Sequence, residues 1–346
     1  MAISISALSE RTNTALDFYT RTQPIGQNVA NKPLLTALEA GKKEFPGGQG
    51  YVSGPIQGNW ASDTDGFFGW YSDSDQVTFV HPDDIQQAKY IWREWHAGIV
   101  LSYSDLKRNG VSVDTSGKPV NTPAREIQIV DDWLEAKITT DFGESLSRSL
   151  NDALYRDGSQ SAKAVVGLFG LLDDDPTSGT VGNIDRATYD FWRHRVNLSV
   201  AYSPENLSML NFLDDEMLQL MKFGGQPSLA LCGSDWLGAM RREIRKSGQV
   251  QNANWNSKTA TQVKMADVVY GNMVFQYDPE LDKKGKSKRA YILDERHIKL
   301  MPMKGSWGQV NQATRPYDQF VLFKSVTGTC TISIDQFNCH GVYGIP

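Results

Sequence analysis

The longest helical pattern in the chain lies at residues 123–157, which read PAREIQIVDDWLEAKITTDFGESLSRSLNDALYRD. Thr122 suits a helix N-cap, Pro123 suits the first helical turn, and Gly158 suits the left-handed residue after a helix. Apolar residues recur between them at helical spacing: Ile127, Val130, Leu134, Ile138, Phe142, Leu146, Leu150 and Leu154. The pattern predicts one amphipathic helix of about 50 Å, at 1.5 Å per residue, to which the rest of the chain is attached.

The spacing of this apolar stripe is unusual. From Val130 to Leu154 each step is four residues, which exceeds the ~3.6 residues of a helical turn, so the stripe winds around the helix. The helix therefore either meets different partners at its two ends or bends near residues 139–143. A core helix of an ordinary α+β domain is the simpler interpretation of this element alone.

Composition excludes several classes of protein. The chain has 346 residues, a net charge of −5 and a pI near 5.6, which argues against a nucleic-acid reader with a broad basic face. Residues 1–20 lack a basic stretch followed by an apolar run, and no run approaches ~18 consecutive apolar residues, so neither a signal peptide nor a membrane span is expected. Three cysteines, Cys232, Cys330 and Cys339, fit a reducing compartment better than a disulfide framework.

Residues 45–121 are rich in both glycine and aromatic residues. The seven glycines of residues 45–75 disfavour a helix and predict an irregular but ordered loop. Residues 76–80 predict a short strand, and residues 86–104 predict a long strand with large apolar groups on both faces, so both faces need cover. Either neighbouring chains or the long helix would supply it. The aromatic residues concerned are Trp60, Phe67, Phe68, Trp70, Tyr71, Tyr90, Trp92 and Trp95.

The second half of the chain alternates helices and strands. The patterns predict, in order, a helix at 205–223, a strand at 228–232, a helix at 234–246, strands at 267–277, 290–294 and 297–303, and two last strands at 317–326 and 329–337 around a turn at Thr327-Gly328. Two charged segments stand out, the acidic turn at residues 173–175 and the basic loop at residues 282–289. The acidic turn is interpreted as solvated rather than as a cation site. The basic loop is interpreted as a solvated hairpin tip, with contact to DNA or to an acidic neighbour as the alternative.

One motif points to a protein family. Residues 179–193 read GTVGNIDRATYDFWR. The pattern Gly-x-Ile-Asp-Arg-x-Thr-x-x-x-Trp-Arg is carried by Ile184, Asp185, Arg186, Thr188, Trp192 and Arg193. It resembles the segment that leads out of the long spine helix in the major capsid proteins of tailed bacteriophages (Hong Kong 97-like), although Asn183 stands where many of them have a second glycine. Its place after a long helix and a short hydrophobic passage strengthens the resemblance.

The resemblance implies an α+β fold, the phage major capsid (Johnson) fold, with a spine helix, an extended β-hairpin excursion (E-loop) and peripheral and axial subdomains. The implied segments are an N-terminal arm (1–34), a short helix (35–44), the extended hairpin (45–121), the spine helix and peripheral domain (122–196), the axial domain (197–315) and return strands of the peripheral domain (316–346). The hairpin aromatics would contact neighbouring subunits. The apolar stripe of the spine helix would include Val130, Leu134, Ile138, Phe142, Leu146 and Leu150.

The implied function is self-assembly into pentamers and hexamers. These would form the icosahedral head of a virion, assembled in the host cytoplasm, and would enclose double-stranded DNA non-specifically. Partners would be neighbouring capsid subunits and, in some relatives, scaffold and decoration proteins. Nothing marks Lys89 or Lys107 as reactive, so we expect no covalent cross-link through either. An encapsulin-type nanocompartment shell protein shares the fold and is the alternative.

A soluble α+β enzyme is the third class considered. The five histidines form no metal-binding pair, and Cys330, Cys339 and His340 lack a second short-spaced ligand pair. No nucleophile-elbow pattern occurs. The sequence therefore predicts no catalytic residue, no metal ligand and no cofactor, and a structural protein with no membrane association is expected.

Overall fold

A computed structural model describes residues 30–47, 50–57, 69–76, 79, 85–102, 142–246, 268–270, 273–311, 317–319 and 321–346. The helices in these ranges are α1 (Pro33–Ala40), α2 (Phe142–Tyr155), α3 (Leu168–Leu171), α4 (Ser208–Met221), α5 (Ser234–Lys246) and α6 (Pro279–Lys283). The strands are β1 (Tyr51–Gln57), β2 (Ile85–Ile91), β3 (Arg93–Ser102), β4 (Thr180–Val181), β5 (Ile184–Asp185), β6 (Arg195–Asn197), β7 (Leu229–Cys232), β8 (Val268–Tyr270), β9 (Met273–Tyr277), β10 (Arg289–Leu293), β11 (Ile298–Pro302), β12 (Gln309–Val310), β13 (Val321–Ile334) and β14 (Gly341–Gly344). Among the described helices, none is long and apolar enough to cross a membrane.

The chain forms two compact units. The first comprises Met1–Ala30, His96–Arg148 and Gly308–Thr327, and the second comprises Asn31–Trp95, Ser149–Trp307 and Gly328–Pro346. In the first unit, β12 pairs antiparallel with the part of β13 that ends at Thr327. The side-chain amide of Asn311 supports this pairing, because it donates to the hydroxyls of Ser325 and Thr327 at 3.1 and 3.2 Å.

The second unit contains a six-stranded sheet of order β6-β14-β10-β7-β9-β8. The pairs β6–β14 and β7–β9 are parallel, and the other neighbouring strands are antiparallel. Successive side chains of a strand point to opposite faces. Accordingly, Leu229 and Leu231 of β7 belong to one core cluster, while Ala230 and Cys232 belong to another. The sheet is therefore covered by apolar side chains on both faces.

Helices α4 and α5 pack together against the second of these clusters, as the buried Leu213 and Trp236 show. Both helices match the predicted ones closely. At the start of α5, the backbone N–H groups of Asp235 and Trp236 donate to the carbonyl oxygen of Ser287 at 3.1 and 3.2 Å. A loop distant in the sequence thus satisfies the first turn of the helix.

The C-terminal part of the predicted spine helix is present as α2. Leu146 and Leu150 are half-buried and Leu154 is buried, as the apolar stripe requires. The helix ends at Tyr155, and Gly158 has a positive φ of 87°, which suits a chain reversal after a helix. Phe142 is the first residue of α2, whereas Val130, Leu134 and Ile138 lie outside the described residues.

The hairpin region corrects two expectations. Residues 51–57, expected to be irregular, form β1, which pairs antiparallel with β2 so that Val52 lies opposite Tyr90 and Gly54 opposite Ala88. The cross-strand burial of Val52 and Tyr90 outweighs the low strand propensity of the glycine. The strand expected at 86–104 is interrupted at Trp92, whose side chain is buried, and continues as β3. The strand predicted at 76–80 lies largely outside the described residues.

Two expectations about later strands are also corrected. Residues 267–277 form a hairpin, β8 and β9, rather than one strand. β13 runs straight through Thr327-Gly328, where a turn was expected. In the second unit, Gly328 is required by a close approach, since a Cβ at this position would lie 2.5 Å from the indole of Trp95. No strand was predicted from the sequence at Gly341–Gly344, where β14 pairs with β6 and β10 in the large sheet. The domain boundaries themselves stay predictions.

Candidate inter-subunit surface and its supporting motif

The connecting motif begins with a tight hairpin between β4 and β5. Gly182 and Asn183 form its loop with positive φ values of 60° and 67°. Two-residue hairpin loops of this kind require a positive φ at both positions, which glycine and asparagine adopt most readily. Asn183 is therefore a conservative departure from the second glycine. The carbonyl oxygen of Gly182 accepts a 2.8 Å hydrogen bond from the backbone N–H of Lys89 in β2, which ties the motif to the hairpin.

Arg186 is the buried charge of the motif, with no exposed side-chain surface. Its guanidinium donates to the Asp173 carboxylate at 2.7 Å and to the carbonyl oxygen of Leu171. The same group lies 5.1 Å from the ring centroid of Phe337. A buried arginine needs such partners, because an unpaired charge in the core is strongly destabilising. Arg186 therefore connects the acidic turn to Phe337, in the segment that follows β13.

The remaining motif residues hold the same local structure. The Thr188 hydroxyl donates to the Asp185 carboxylate at 2.7 Å, and this bond, with one from the backbone of Ala187, lowers the pKa of Asp185. Arg193 donates to the carbonyl oxygens of Arg186 and Ala187 at 2.6 and 2.8 Å. The buried apolar side chains of the motif are Ile184 and Trp192. The Trp192 indole donates to the carbonyl oxygen of Val181 at 2.9 Å and packs on Phe337 at 4.5 Å between centroids.

Two buried histidines lie close to this motif. His194 bonds the carbonyl oxygen of Asp173 through Nε2 at 2.8 Å, and His340 accepts the backbone N–H of Asp294 at Nδ1 at 3.2 Å. Desolvation lowers the pKa of His194 to about 4 and that of His340 to about 3. Both rings are therefore neutral in the folded protein at neutral pH.

The lowered pKa values of these two histidines predict that the protein loses stability in mild acid. The unfolded chain binds protons at each histidine once the pH falls below ~6.5, whereas the folded rings stay neutral down to pKa values of about 4 and 3. Between pH 7 and 5 each histidine should therefore remove up to about 2 kcal/mol from the free energy of unfolding. Urea unfolding at both pH values, on wild type and His340→Asn, measures this. Between the two pH values the free energy of unfolding should fall by about 2 kcal/mol less in the variant than in wild type. An equal fall in both proteins would contradict the prediction for His340.

The predicted contact aromatics fall into three groups. Trp70 and Tyr71 are 93% and 72% exposed, and Phe79, which the sequence did not single out, is 93% exposed. Tyr90 and Trp92 are buried within the chain, and Trp95 is partly buried against the core. The third group, Trp60, Phe67 and Phe68, lies outside the described residues.

This distribution bears on which residues of the expected set can reach a neighbouring subunit. The Tyr90 hydroxyl donates to the carbonyl oxygen of Ile334 at 2.8 Å, and Trp92 packs on Phe45 at 5.8 Å between ring centroids. Side chains that fill the core of their own chain offer little surface to a neighbour. Among the described residues of the predicted set, Trp70 and Tyr71 thus remain the candidates for contact between subunits.

The acidic turn and the basic loop contact each other, which the sequence did not predict. The Asp174 carboxylate accepts from Lys286 at 3.1 Å and from Arg289 at 3.2 Å. Lys284 pairs with Asp152 of α2. Much of the expected solvated loop is therefore committed to contacts within the chain. Opposite charge in two turns was the available signal, but it does not by itself specify pairing across more than 100 residues.

The described residues contain no group of three or more His, Cys, Asp or Glu side chains arranged to hold a metal ion. Cys232, Cys330 and Cys339 are free and buried, and burial raises the pKa of each thiol. High thiol pKa values disfavour the reactive thiolate at neutral pH.

No protein-family model and no curated protein matches this chain. Solved structures do match it. A chain of the Cyanophage A-1(L) capsid aligns with 94% of this chain and 95% of its own, at a TM-score of 0.64 and 13% identity. The capsid of Myoviridae Phage XM1 covers 94% and 96% at 0.53 and 10% identity, and the capsid of a native GTA particle covers 93% and 95% at 0.54 and 11%.

These likenesses establish the fold. The chain has the α+β fold of phage capsid proteins, the Johnson fold that the motif at residues 179–193 predicted. The similarity extends over nearly the whole of each chain compared.

Proposed function

We propose that this chain is a major capsid protein, which self-assembles into the pentamers and hexamers of an icosahedral phage head. The observation that carries the proposal is the match to a cyanophage capsid chain over 94% of this chain and 95% of that one. Because nearly the whole chain is taken up by the capsid fold, the proposal assigns it a structural role rather than an enzymatic one.

The exposed aromatic segment supports assembly. Large apolar side chains exposed in a group mark surfaces that another molecule covers. Trp70, Tyr71 and Phe79 are such side chains, and they belong to an excursion whose base, β1 and β2, is anchored in the core by Val52 and Tyr90. A contact in which this segment of each subunit lies on the next is heterologous, so repeating it closes a ring when the rotation allows.

The charge of the chain suits a container for DNA. With a net charge of −5 the subunit lacks the excess of basic groups that would hold the genome through counterion release. We propose that double-stranded DNA is enclosed without sequence recognition inside the head of the virion. Neighbouring capsid subunits are then the main partners, with scaffold and decoration proteins as additional ones.

The test is assembly of the purified full-length chain. Size-exclusion chromatography across a salt series, followed by negative-stain microscopy, should show closed shells or rings of five or six subunits. Obligate interfaces of this kind bury roughly 2,000–5,000 Å², so the rings should survive dilution. A monomer at every salt concentration, with and without the proteins of neighbouring genes, would overturn the proposal. Shells that enclose an enzyme and no nucleic acid would favour the encapsulin alternative.

Replacing the excursion should abolish assembly without unfolding the subunit. Gln57 lies opposite Ile85 in the β1–β2 register, so an Asn-Gly loop in place of residues 58–84 gives a two-residue hairpin at the same register. The buried Val52 and Tyr90 are retained. We expect a soluble subunit with a native circular dichroism spectrum that forms no rings or shells under the conditions in which wild type does.

A matched control tests whether the aromatic side chains themselves matter. The double variant Trp70→Ser/Tyr71→Ser keeps the full length of the excursion and should also lose assembly. Normal shells from the shortened chain would contradict a role of the excursion in contacts between subunits.

A further inference from the structure

An apolar cavity of about 270 Å³ opens in the second unit beside the last turns of α2. Its walls include Trp95, Leu150, Leu154, Val165 and Cys330. A cavity of about 150 Å³ lined by apolar side chains already holds benzene. This one therefore has room for a larger aromatic side chain.

The rim of the cavity carries several charged groups. Arg93, Lys163, Arg156, Glu94 and Asp152 all line it. Asp152 is committed to Arg156, at 2.6 Å, and to Lys284. Arg93 and Lys163 are then left with the single exposed carboxylate of Glu94 on the rim. The rim therefore favours a ligand with negative charge next to its apolar part.

The exposed aromatic segment has the complementary chemistry. Trp70 and Tyr71 are followed by a turn in which the backbone N–H of Ser72 donates to the Asp75 carboxylate at 2.7 Å, and the N–H of Asp75 to the Ser72 carbonyl oxygen at 2.8 Å. Residues 60–76 contain four aspartates and no lysine or arginine. The segment is thus aromatic, acidic and presented on a turn.

We propose that residues 70–75 of one copy of this chain dock into the cavity of a neighbouring copy, with the Trp70 ring inside it and Asp73 and Asp75 facing Arg93 and Lys163. The occupant comes from a second copy because Trp70 is 93% exposed on its own chain. The inference rests on the proposed self-assembly and adds the receiving site. It gives each subunit one donor segment and one acceptor cavity.

Site-directed disulfide formation tests the docking directly. Ser72 is exposed on the turn, and Ala164 is a partly exposed residue of the cavity wall. Capsomers of the double variant Ser72→Cys/Ala164→Cys are treated with a mild oxidant and run on a non-reducing gel. Most of the monomer band should be replaced by a ladder of bands with up to five or six chains. The single variants Ser72→Cys and Ala164→Cys, which retain the three buried native cysteines, should stay monomeric on the same gel.

Charge reversal provides a second, independent measurement. The variants Asp73→Lys/Asp75→Lys and Arg93→Glu/Lys163→Glu should each raise the protein concentration needed for capsomers by about tenfold or more, since each places like charges against each other. Combining all four substitutions should restore much of the loss. If the combined variant needed as high a protein concentration for capsomers as the two double variants do, the charge pairing would be overturned.

The outcomes separate this inference from the proposed function. If the wild type forms capsomers but the double-cysteine variant gives no ladder, the docking is overturned and the capsid role stands. Failure of wild type to assemble under any condition would overturn both. A ladder together with rescue by the combined charge variant would establish the cavity as the acceptor site.

Discussion

Replacing Glu243 by alanine should lower the free energy of unfolding by at least ~3 kcal/mol. The Glu243 carboxylate lies on α5, is fully buried, and accepts the backbone N–H groups of Ser203, Met209 and Leu210 at 3.0–3.3 Å. It therefore caps the first turn of α4, which has no side-chain cap of its own at Leu207. Alanine would leave three donors without this acceptor, at about 1–3 kcal/mol each, and would remove a negative charge from a helix N-terminus.

Urea unfolding followed by tryptophan fluorescence measures this effect. Glu243→Gln keeps the shape and one acceptor oxygen but loses the charge, so its cost should be intermediate, about 1.5–3 kcal/mol. Glu205→Ala is the control, because it removes an exposed carboxylate that pairs with Lys246 at 3.1 Å and should cost under ~1 kcal/mol. Equal stability of Glu243→Ala and Glu205→Ala would contradict the capping role.

Asp173→Ala should destabilise the subunit more than Arg186→Leu, although both break the same ion pair. Asp173→Ala leaves the fully buried guanidinium without its carboxylate, a change that costs about 3–5 kcal/mol for buried pairs. Arg186→Leu leaves an Asp173 carboxylate whose side chain is 40% exposed and can be hydrated instead. The free-energy cost of Arg186→Leu should be lower, about 1–3 kcal/mol. Part of this cost arises because the carbonyl oxygen of Leu171 loses its hydrogen-bond donor.

The order of these two variants is the critical result. Asp175→Ala removes the next-but-one carboxylate of the same turn, which bonds only Thr177 and Ser178 among the described residues, and should stay close to wild type. Thermal or urea unfolding of the three variants side by side gives the order. If Arg186→Leu proved the more damaging, the motif would depend on the packing of the arginine side chain on Phe337 rather than on its charge.

Local sequence signals were sufficient wherever neighbouring residues determine the structure. The strand–helix passage at Leu229–Cys232 and Ser234–Lys246 was predicted from an apolar run followed by helical spacing. The motif at residues 179–193 correctly indicated the fold, and its buried Trp192 and Arg186 both pack on Phe337, which lies far along the chain. A glycine was ambiguous, however. Gly328 resembles a turn residue in the sequence but lies within a strand beside Trp95.

Long-range contacts could not be predicted from the sequence. Glu243 and the first turn of α4 are separated by more than 30 residues, and Asp174 and Lys286 by 112. Nothing in the local pattern pairs them. The same limit explains the contact aromatics: Tyr90 and Trp70 are both large aromatic residues in the sequence, but the folded chain buries the first and exposes the second.

The strand order of the large sheet dictates when a subunit can be finished during translation. Among the strands of the described residues, β6 pairs with β14 alone, so Arg195–Asn197 lacks its partner in this sheet until Gly341–Gly344 has been made. The residues from 198 to 340 are synthesised in between, which takes roughly 7–30 seconds at 5–20 residues per second. A nascent chain therefore cannot complete this sheet on the ribosome before β14 emerges. Polysomes would carry unfinished subunits, and the proposed assembly would draw only on chains that have been translated through Gly344.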